Sequence, residues 1–175
     1  MTPRLVLVGP PGAGKSTVAT LLARRWGVEH RDTDRDVEEV AGKPIAEIFI
    51  DEGEAEFRSL ERVAVARALA EHAGVLSVGG GAVTQEPIRA LLDGHVVVFL
   101  DVGLAEAAKR IGLGTTRPLL LGNVRGQLKA LLDARRPLYA EVAGHTVLTD
   151  GLTPAEVVAA VEGAIGAGED AEETG

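Results

Sequence analysis

Residues 9–17 read GPPGAGKST, and within them Gly9, Gly14, Lys15 and Ser16 complete the spacing G-x-x-x-x-G-K-[ST]. That combination suits a polyphosphate. Glycines let backbone N–H groups close around the phosphates, Lys15 reaches the β- and γ-phosphates as a flexible point charge, and the Ser16 hydroxyl is a ligand for Mg²⁺. A helix that starts here adds its first amides to the same anion. The flanks agree: Arg4 to Val8 reads as a buried strand, and Lys15 to Arg25, with Val18, Leu21 and Leu22 apolar, reads as a helix. A plain glycine-rich turn would leave the Lys15-Ser16 pair without a purpose.

Four further stretches carry residues suited to the same chemistry. Arg31-Asp32-Thr33-Asp34 closes a short strand candidate around Val28–Arg31, and the carboxyl ends of strands are where open α/β sheets bind ligands. One of its acids could hold Mg²⁺ through water and the other could meet an acceptor, although Thr33 or Asp34 would serve equally well as the N-cap of a helix starting near Arg35. Gly53 to Arg58 opens a helical pattern that runs through Ala73, with Phe57, Leu60 and Ala64 on its apolar face and Arg58 one step off it. An arginine there is ordinarily a solvated charge. Gly79-Gly80-Gly81 ends a strand, where three glycines let backbone amides lie directly against a ligand. Arg110 to Asn123 mixes glycine, threonine and Arg117-Pro118 between two helices, the composition of a mobile flap. On closure such a flap would carry Arg117 to a transferring phosphoryl group.

These pieces need a frame that brings them together. Apolar runs at Leu5–Val8, Val75–Val78, Val96–Leu100 and Thr146–Leu148, plus the candidate around Val28–Arg31, alternate with helical patterns. That pattern predicts a three-layer αβα fold around a five-stranded parallel sheet. The 175 residues suit one domain, residues 1–166, with a substrate-binding segment at about 33–61 and a lid at about 111–123. Residues 167–175, with Glu169-Asp170 and Glu172-Glu173, read as a disordered acidic tail.

Composition bounds the partners. Without cysteine there is no disulfide or thiolate metal site, and the four histidines show no metal-ligand spacing. A net charge of −8 and 3% aromatic residues oppose nucleic-acid binding. No run approaches a membrane span and the first residues are occupied by the strand and the phosphate loop, so a soluble cytoplasmic monomer is expected.

Taken in order, GPPGAGKST, RDTD, DEGEAEFRSLE, VGGGAV, TTRPLL and RRPLY resemble shikimate kinase, a family of the nucleoside-monophosphate-kinase-like phosphate-loop enzymes, over almost the whole chain. The resemblance implies transfer of the γ-phosphoryl of ATP to the 3-hydroxyl of shikimate, in the route to chorismate and the aromatic amino acids. It implies that Gly12, Ala13, Gly14, Lys15, Ser16 and Thr17 hold the ATP phosphates and that Ser16, with Asp32 through water, holds Mg²⁺. Asp34 would take the substrate hydroxyls and orient or deprotonate the attacking oxygen. Arg58, Arg135 and the Gly79, Gly80 and Gly81 amides would bind shikimate, Arg117 would be the lid arginine on ATP, and Arg110 the adenine-stacking arginine. By the same resemblance Lys15, Asp34 and Arg117 would form the catalytic set.

Within RRPLY the family places its arginine two residues before Pro-Leu-Tyr, which selects Arg135, whereas counting from the flap would select Arg136. Pro137 is a good first residue for a new helix, so a bend is expected at this pair, with Arg136 turned to the surface near Asp133. Many relatives carry basic residues where this chain has Thr149-Asp150-Gly151-Leu152, so adenine contacts from that loop would fall to the backbone. Kinases acting on gluconate or a nucleoside monophosphate are the nearest alternatives, although Asp34 to Glu61 is short for a base-binding insert. A non-catalytic nucleotide-binding regulator would be expected to have lost Lys15, Asp34 or Arg117, and all three are present.

Overall fold

The computed structural model describes residues 2–111 and 123–173, with side chains as far as residue 166. In chain order the elements are β1 (Leu5–Val8), α1 (Lys15–Trp26), β2 (His30–Asp32), α2 (Thr33–Ala41), α3 (Ile45–Glu52), α4 (Glu54–Glu71), β3 (Val75–Ser77), α5 (Glu86–Leu92), β4 (Val97–Asp101), α6 (Leu104–Arg110), α7 (Val124–Val142), β5 (His145–Leu148) and α8 (Pro154–Glu173). A short 3₁₀ turn lies at Ala82–Thr84.

The five strands form one sheet in the order β2-β3-β1-β4-β5, and every pairing is parallel. β1 is apolar at all four positions because both of its faces are covered. Leu5 and Leu7 pack with Val18, Leu22, Leu132 and Val161 under α1, α7 and α8, while Val6 and Val8 pack with Val65, Ala68 and Ile88 under α4 and α5. A separate small core of Val37, Ile48, Phe57 and Ala64 joins α2, α3 and α4, with the Phe49 and Phe57 rings 4.8 Å apart. It makes a helical lobe of the segment expected to bind substrate. Leu7 and Asp32 both stand opposite Ser77, so the loops leaving β1, β2 and β3 emerge at one level at the carboxyl edge of the sheet. There the chain leaves β1 toward β2 and leaves β3 toward β4, in opposite directions, which opens a crevice between the two strand ends.

Two expectations need correction. The backbone of α8 stays helical through Glu173, so residues 167–173 of the stretch read as a disordered tail continue the last helix. Val157, Val158 and Val161 anchor its first turns in the core, and alanine and glutamate further on are good helix formers. Pro137 lies inside α7 and does not begin a new helix. An internal proline costs about 3 kcal/mol, but the fully buried Leu132 and Tyr139 on either side each contribute about as much, so packing carries the helix across the break.

Replacing Pro137 with Ala restores a backbone donor in an exposed helical position. It should therefore raise stability by about 1–3 kcal/mol in urea or thermal unfolding. A loss of stability would mean that α7 depends on the proline for its path.

Candidate active site

The phosphate loop begins where β1 ends, and its shape depends on close approach. A Cβ on Gly9 would collide with the Leu100 carbonyl of the neighbouring strand, and Gly12 and Gly14 hold the left-handed φ values of +82° and +87°. The partly buried Lys15 folds back onto its own loop, its Nζ donating to the carbonyls of Gly9 at 2.6 Å and Pro10 at 3.1 Å. Burial lowers its pKa to about 8, against the opposing pull of Asp34 and Asp32. Ala13 turns its methyl into the core and donates its N–H to the Pro10 carbonyl at 3.2 Å. A cleft of ≈ 430 Å³ is lined by Gly12, Gly14, Lys15, Ser16, Thr17, Asp32, Asp34 and Arg110, together with Ser77 and Val78.

Asp32 and Asp34 leave β2 with different tasks. The Asp32 carboxylate caps α2, its Oδ1 accepting from the Asp34 N–H at 2.9 Å, and its Oδ2 accepts from Ser16 Oγ at 3.2 Å. The cap is therefore Asp32, and neither Thr33 nor Asp34 fills that position. Thr33 is wholly buried and its Oγ1 accepts from the Gly79 N–H at 3.1 Å, tying the start of α2 to the glycine run. Asp34 is left free to enter the cleft. Burial, then repulsion from Asp32 and Glu61, raises its pKa to about 6 although Lys15 pulls the other way.

The three glycines at the end of β3 have ordinary backbone angles, so close approach accounts for them better than turn geometry. A methyl on Gly79 would collide with Asp34 Oδ1 and stand 2.9 Å from Glu61 Oε2; on Gly80 it would crowd Pro11 of the phosphate loop at 3.2 Å; on Gly81 it would meet both terminal nitrogens of Arg58 at 2.6 Å. Each glycine thus abuts a different part of the site. Arg58, on α4, donates from Nη1 to the buried Glu61 at 2.8 Å, an i,i+3 pair. Tyr139 of α7 is fully buried against Phe99 and donates its hydroxyl to the Gly80 carbonyl, which bolts the glycine run to α7. Burial pushes that phenol up to about 12.

Arg135 lies one helical turn before Tyr139 and so shares its face. Its charge is felt by Lys15, Glu61 and Tyr139, which sets it near the phosphate loop and the glycine run. Arg136 points elsewhere. It meets Asp133 at 3.5 Å, but its main partners are Asp101 at 3.3 Å and the Val102 carbonyl at 3.0 Å, so it fastens α7 to the end of β4 instead of lying loose on the surface. Arg110, closing α6, donates to Gly12 O at 3.1 Å and to Thr149 Oγ1 and O at 3.0 and 3.2 Å. These bonds use the edge of the guanidinium and link the phosphate loop to the loop after β5. Asp150 of that loop accepts from the Gly103 N–H at 2.9 Å. Arg117 and nearly all of the flap lie outside the described residues. Glu61 and Tyr139 were given no role in the sequence reading, and Thr33 and Thr149 were given others, since none of the four belongs to a phosphate-loop pattern; the one available signal was that Glu61 and Tyr139 close two of the quoted motifs.

A sequence model of the family described as shikimate kinase matches residues 11–165. The chain is 62% identical over 161 residues to the shikimate kinase of Salinispora arenicola, covering 92% of this chain and 96% of that one, and 63% identical over 159 residues to that of Saccharopolyspora erythraea, covering 90% and 91%. The solved structure of the Acinetobacter baumannii shikimate kinase in complex with shikimate superposes with a TM-score of 0.87 at 36% identity, over 96% of this chain and 94% of that one. With the family's motifs set around one cleft and identity of this extent over nearly its full length, the chain belongs to the shikimate kinase family.

Proposed function

We propose that this enzyme transfers the γ-phosphoryl group of Mg²⁺-bound ATP to the 3-hydroxyl of shikimate, working as a cytoplasmic monomer whose two substrates meet in the cleft above β1 and β3. The observation that carries the reading is the convergence of Lys15, Asp34, Arg58 and Arg135 around Glu61 and the glycine run: cations for a phosphate tail on one side, paired arginines for a carboxylate on the other, and a carboxylate between them for a hydroxyl. No helix among the described residues is long and apolar enough to cross a membrane.

In this reading the shikimate carboxylate lies against Arg58 and Arg135, which can hold it with paired hydrogen bonds, while the Gly79, Gly80 and Gly81 backbone lines the pocket. The small lobe of α2, α3 and α4 supplies the walls. Asp34 takes the substrate hydroxyls. Its raised pKa makes it a better proton acceptor than an ordinary aspartate, so as the 3-oxygen attacks the γ-phosphorus the hydroxyl proton passes to Asp34 and the bond to the β-phosphate oxygen breaks, releasing ADP. On ATP binding Lys15 exchanges its two loop carbonyls for phosphate oxygens, Arg110 stacks on adenine, and Arg117 arrives with the lid to neutralise charge.

Ser16 Oγ and Asp32 Oδ2 are hard oxygen donors beside each other at the mouth of the loop, a set that fits Mg²⁺ with the remaining positions left to phosphate and water. The ion supplies neutralisation of the β- and γ-phosphate oxygens. Among the described residues no group of three or more His, Cys, Asp or Glu could hold a metal, so the ion would depend on ATP for much of its coordination.

A coupled assay of ADP release should show turnover with shikimate and none with gluconate or nucleoside monophosphates; turnover with one of those alone would overturn the substrate assignment. The same assay tests the acid–base reading. Asp34 must be ionised, so kcat/KM should rise with pH through about 6, and Lys15 must be charged, so it should fall again above about 8. Asp34→Asn should lower kcat severely; an acid limb that persists unchanged in its residual activity would mean that another group titrates there.

The adjacent arginines should separate cleanly. Arg135→Ala should raise the KM for shikimate by at least roughly thirtyfold, as expected when one partner of a buried charge pair costs about 2–5 kcal/mol, with the KM for ATP nearly unaffected. Arg136→Ala should instead lower the melting temperature and leave that KM within about threefold. A large shikimate defect in Arg136→Ala alone would show the register to be wrong by one residue.

A further inference from the structure

We propose that Gln85 is the positioning residue that keeps Arg58 available to the substrate carboxylate, by giving the buried Glu61 a second, neutral hydrogen-bond donor; the proposal rests on the reading of Arg58 as a carboxylate ligand. Gln85 follows the 3₁₀ turn after the glycine run and stands at the N-cap of α5, outside the residues that line the phosphate-loop cleft. Its Nε2 donates to the Arg58 backbone carbonyl at 3.1 Å and to Glu61 Oε1 at 3.2 Å, while its Oε1 accepts from Arg62 Nη1 at 3.1 Å. Two acceptors on one side and a guanidinium donor on the other satisfy only one orientation of the amide. Gln85 therefore holds Arg58 twice, at the backbone directly and at the guanidinium through Glu61.

The need for a second donor follows from burial. Glu61 is 1% exposed, and a buried carboxylate must be paired or hydrogen-bonded. Its shortest contact is to Arg58, the same group that must turn toward the incoming carboxylate. If Arg58 were the sole donor to Oε1, every shift toward the substrate would strip a buried anion, and Glu61 would compete with the ligand for the guanidinium. An amide is a suitable second donor because it satisfies Glu61 without bringing a rival cation to the pocket. The room is tight: the guanidinium lies against Gly81, and Glu61 Oε2 against Gly79, so Arg58 has a narrow path and a small change in what Glu61 demands moves it.

Gln85→Met keeps the length of the side chain and removes both polar functions. In steady-state assays of the full chain it should raise the KM for shikimate about tenfold, while kcat and the KM for ATP stay within about twofold, the scale of one hydrogen bond to a charged group. Gln85→Glu, which places a second anion beside Glu61 and Arg58, should raise that KM further. In an Arg58→Ala background, Gln85→Met should add less than about twofold, because the two act as one unit. Should Gln85→Met fold poorly, Arg62→Ala leaves the amide in place but unrestrained, and should raise the KM for shikimate about two- to threefold. An unchanged KM in Gln85→Met, an equal loss in kcat and both KM values together with a lower melting temperature, or the full tenfold factor persisting in the Arg58→Ala background would each overturn the proposal. An unchanged KM in Arg58→Ala alone would instead sink the assignment of Arg58, and this inference with it.

Discussion

Three carboxylates, Asp32, Asp34 and Glu61, are gathered within mutual electrostatic reach at the carboxyl end of β2 and β3, and much of the surrounding architecture exists to make that tolerable. Like charges in a low-dielectric crevice repel strongly, and each can be kept ionised only by donors placed against it. Asp32 is satisfied by the start of α2 and by Ser16, and Glu61 by Arg58 and Gln85. Asp34 is instead buried beside both of them, and burial followed by their repulsion raises its pKa to about 6. In the proposed reading, the cations set among these carboxylates, Lys15, Arg58 and Arg135, are those that two anionic substrates require. Binding would then be an exchange of internal partners for external ones, with neutral and backbone groups satisfying what is left behind.

The glycine run shows how backbone and charge are fitted to each other. Side chains of any size at positions 79, 80 and 81 would push apart Asp34 and Glu61, the phosphate loop, and Arg58 respectively. The run is held from two sides, by Thr33 at its first amide and by Tyr139 at the Gly80 carbonyl. Helices from distant parts of the sequence, α2 and α7, therefore converge on one strand end. In the proposed reading, that convergence sets the separation between the groups that would meet phosphate and those that would meet a carboxylate, which phosphoryl transfer must hold within narrow limits.

The fold was legible because its strands are short, apolar and buried on both faces, and because the motifs fall where such strands end. All five strand candidates correspond to strands of the sheet, within a residue or two at their boundaries. Asp34, Arg58 and Arg135 were singled out through the resemblance, and the structure brings Asp34 and Arg58 against the glycine run with Arg135 close to Glu61. What composition and spacing concealed was support. Glu61 looks like one more charge on a charged helix until α4 turns it inward; Thr149 looks like a loop residue until Arg110 reaches it; and Gln85 has no periodic or motif signal at all. The bend expected at Pro137 failed for a related reason, since local preference for breaking a helix is small beside the burial of Leu132 and Tyr139. Local rules identify groups that meet ligands, whereas groups that meet those groups depend on contacts between segments far apart in sequence.

The placement of Arg135 by Tyr139, one turn along the same helix, makes α7 a ruler whose zero mark is at its carboxyl half. Asn123 caps its start through a bond to the Gly126 amide, and everything before that cap is reckoned separately. With Arg135 in its proposed role, a single residue gained or lost between Arg135 and Tyr139 would rotate the arginine by about 100° and take it off the face it shares with the buried tyrosine. The four-residue step from arginine to anchor is then a length that α7 cannot alter without changing which side chain stands beside the glycine run.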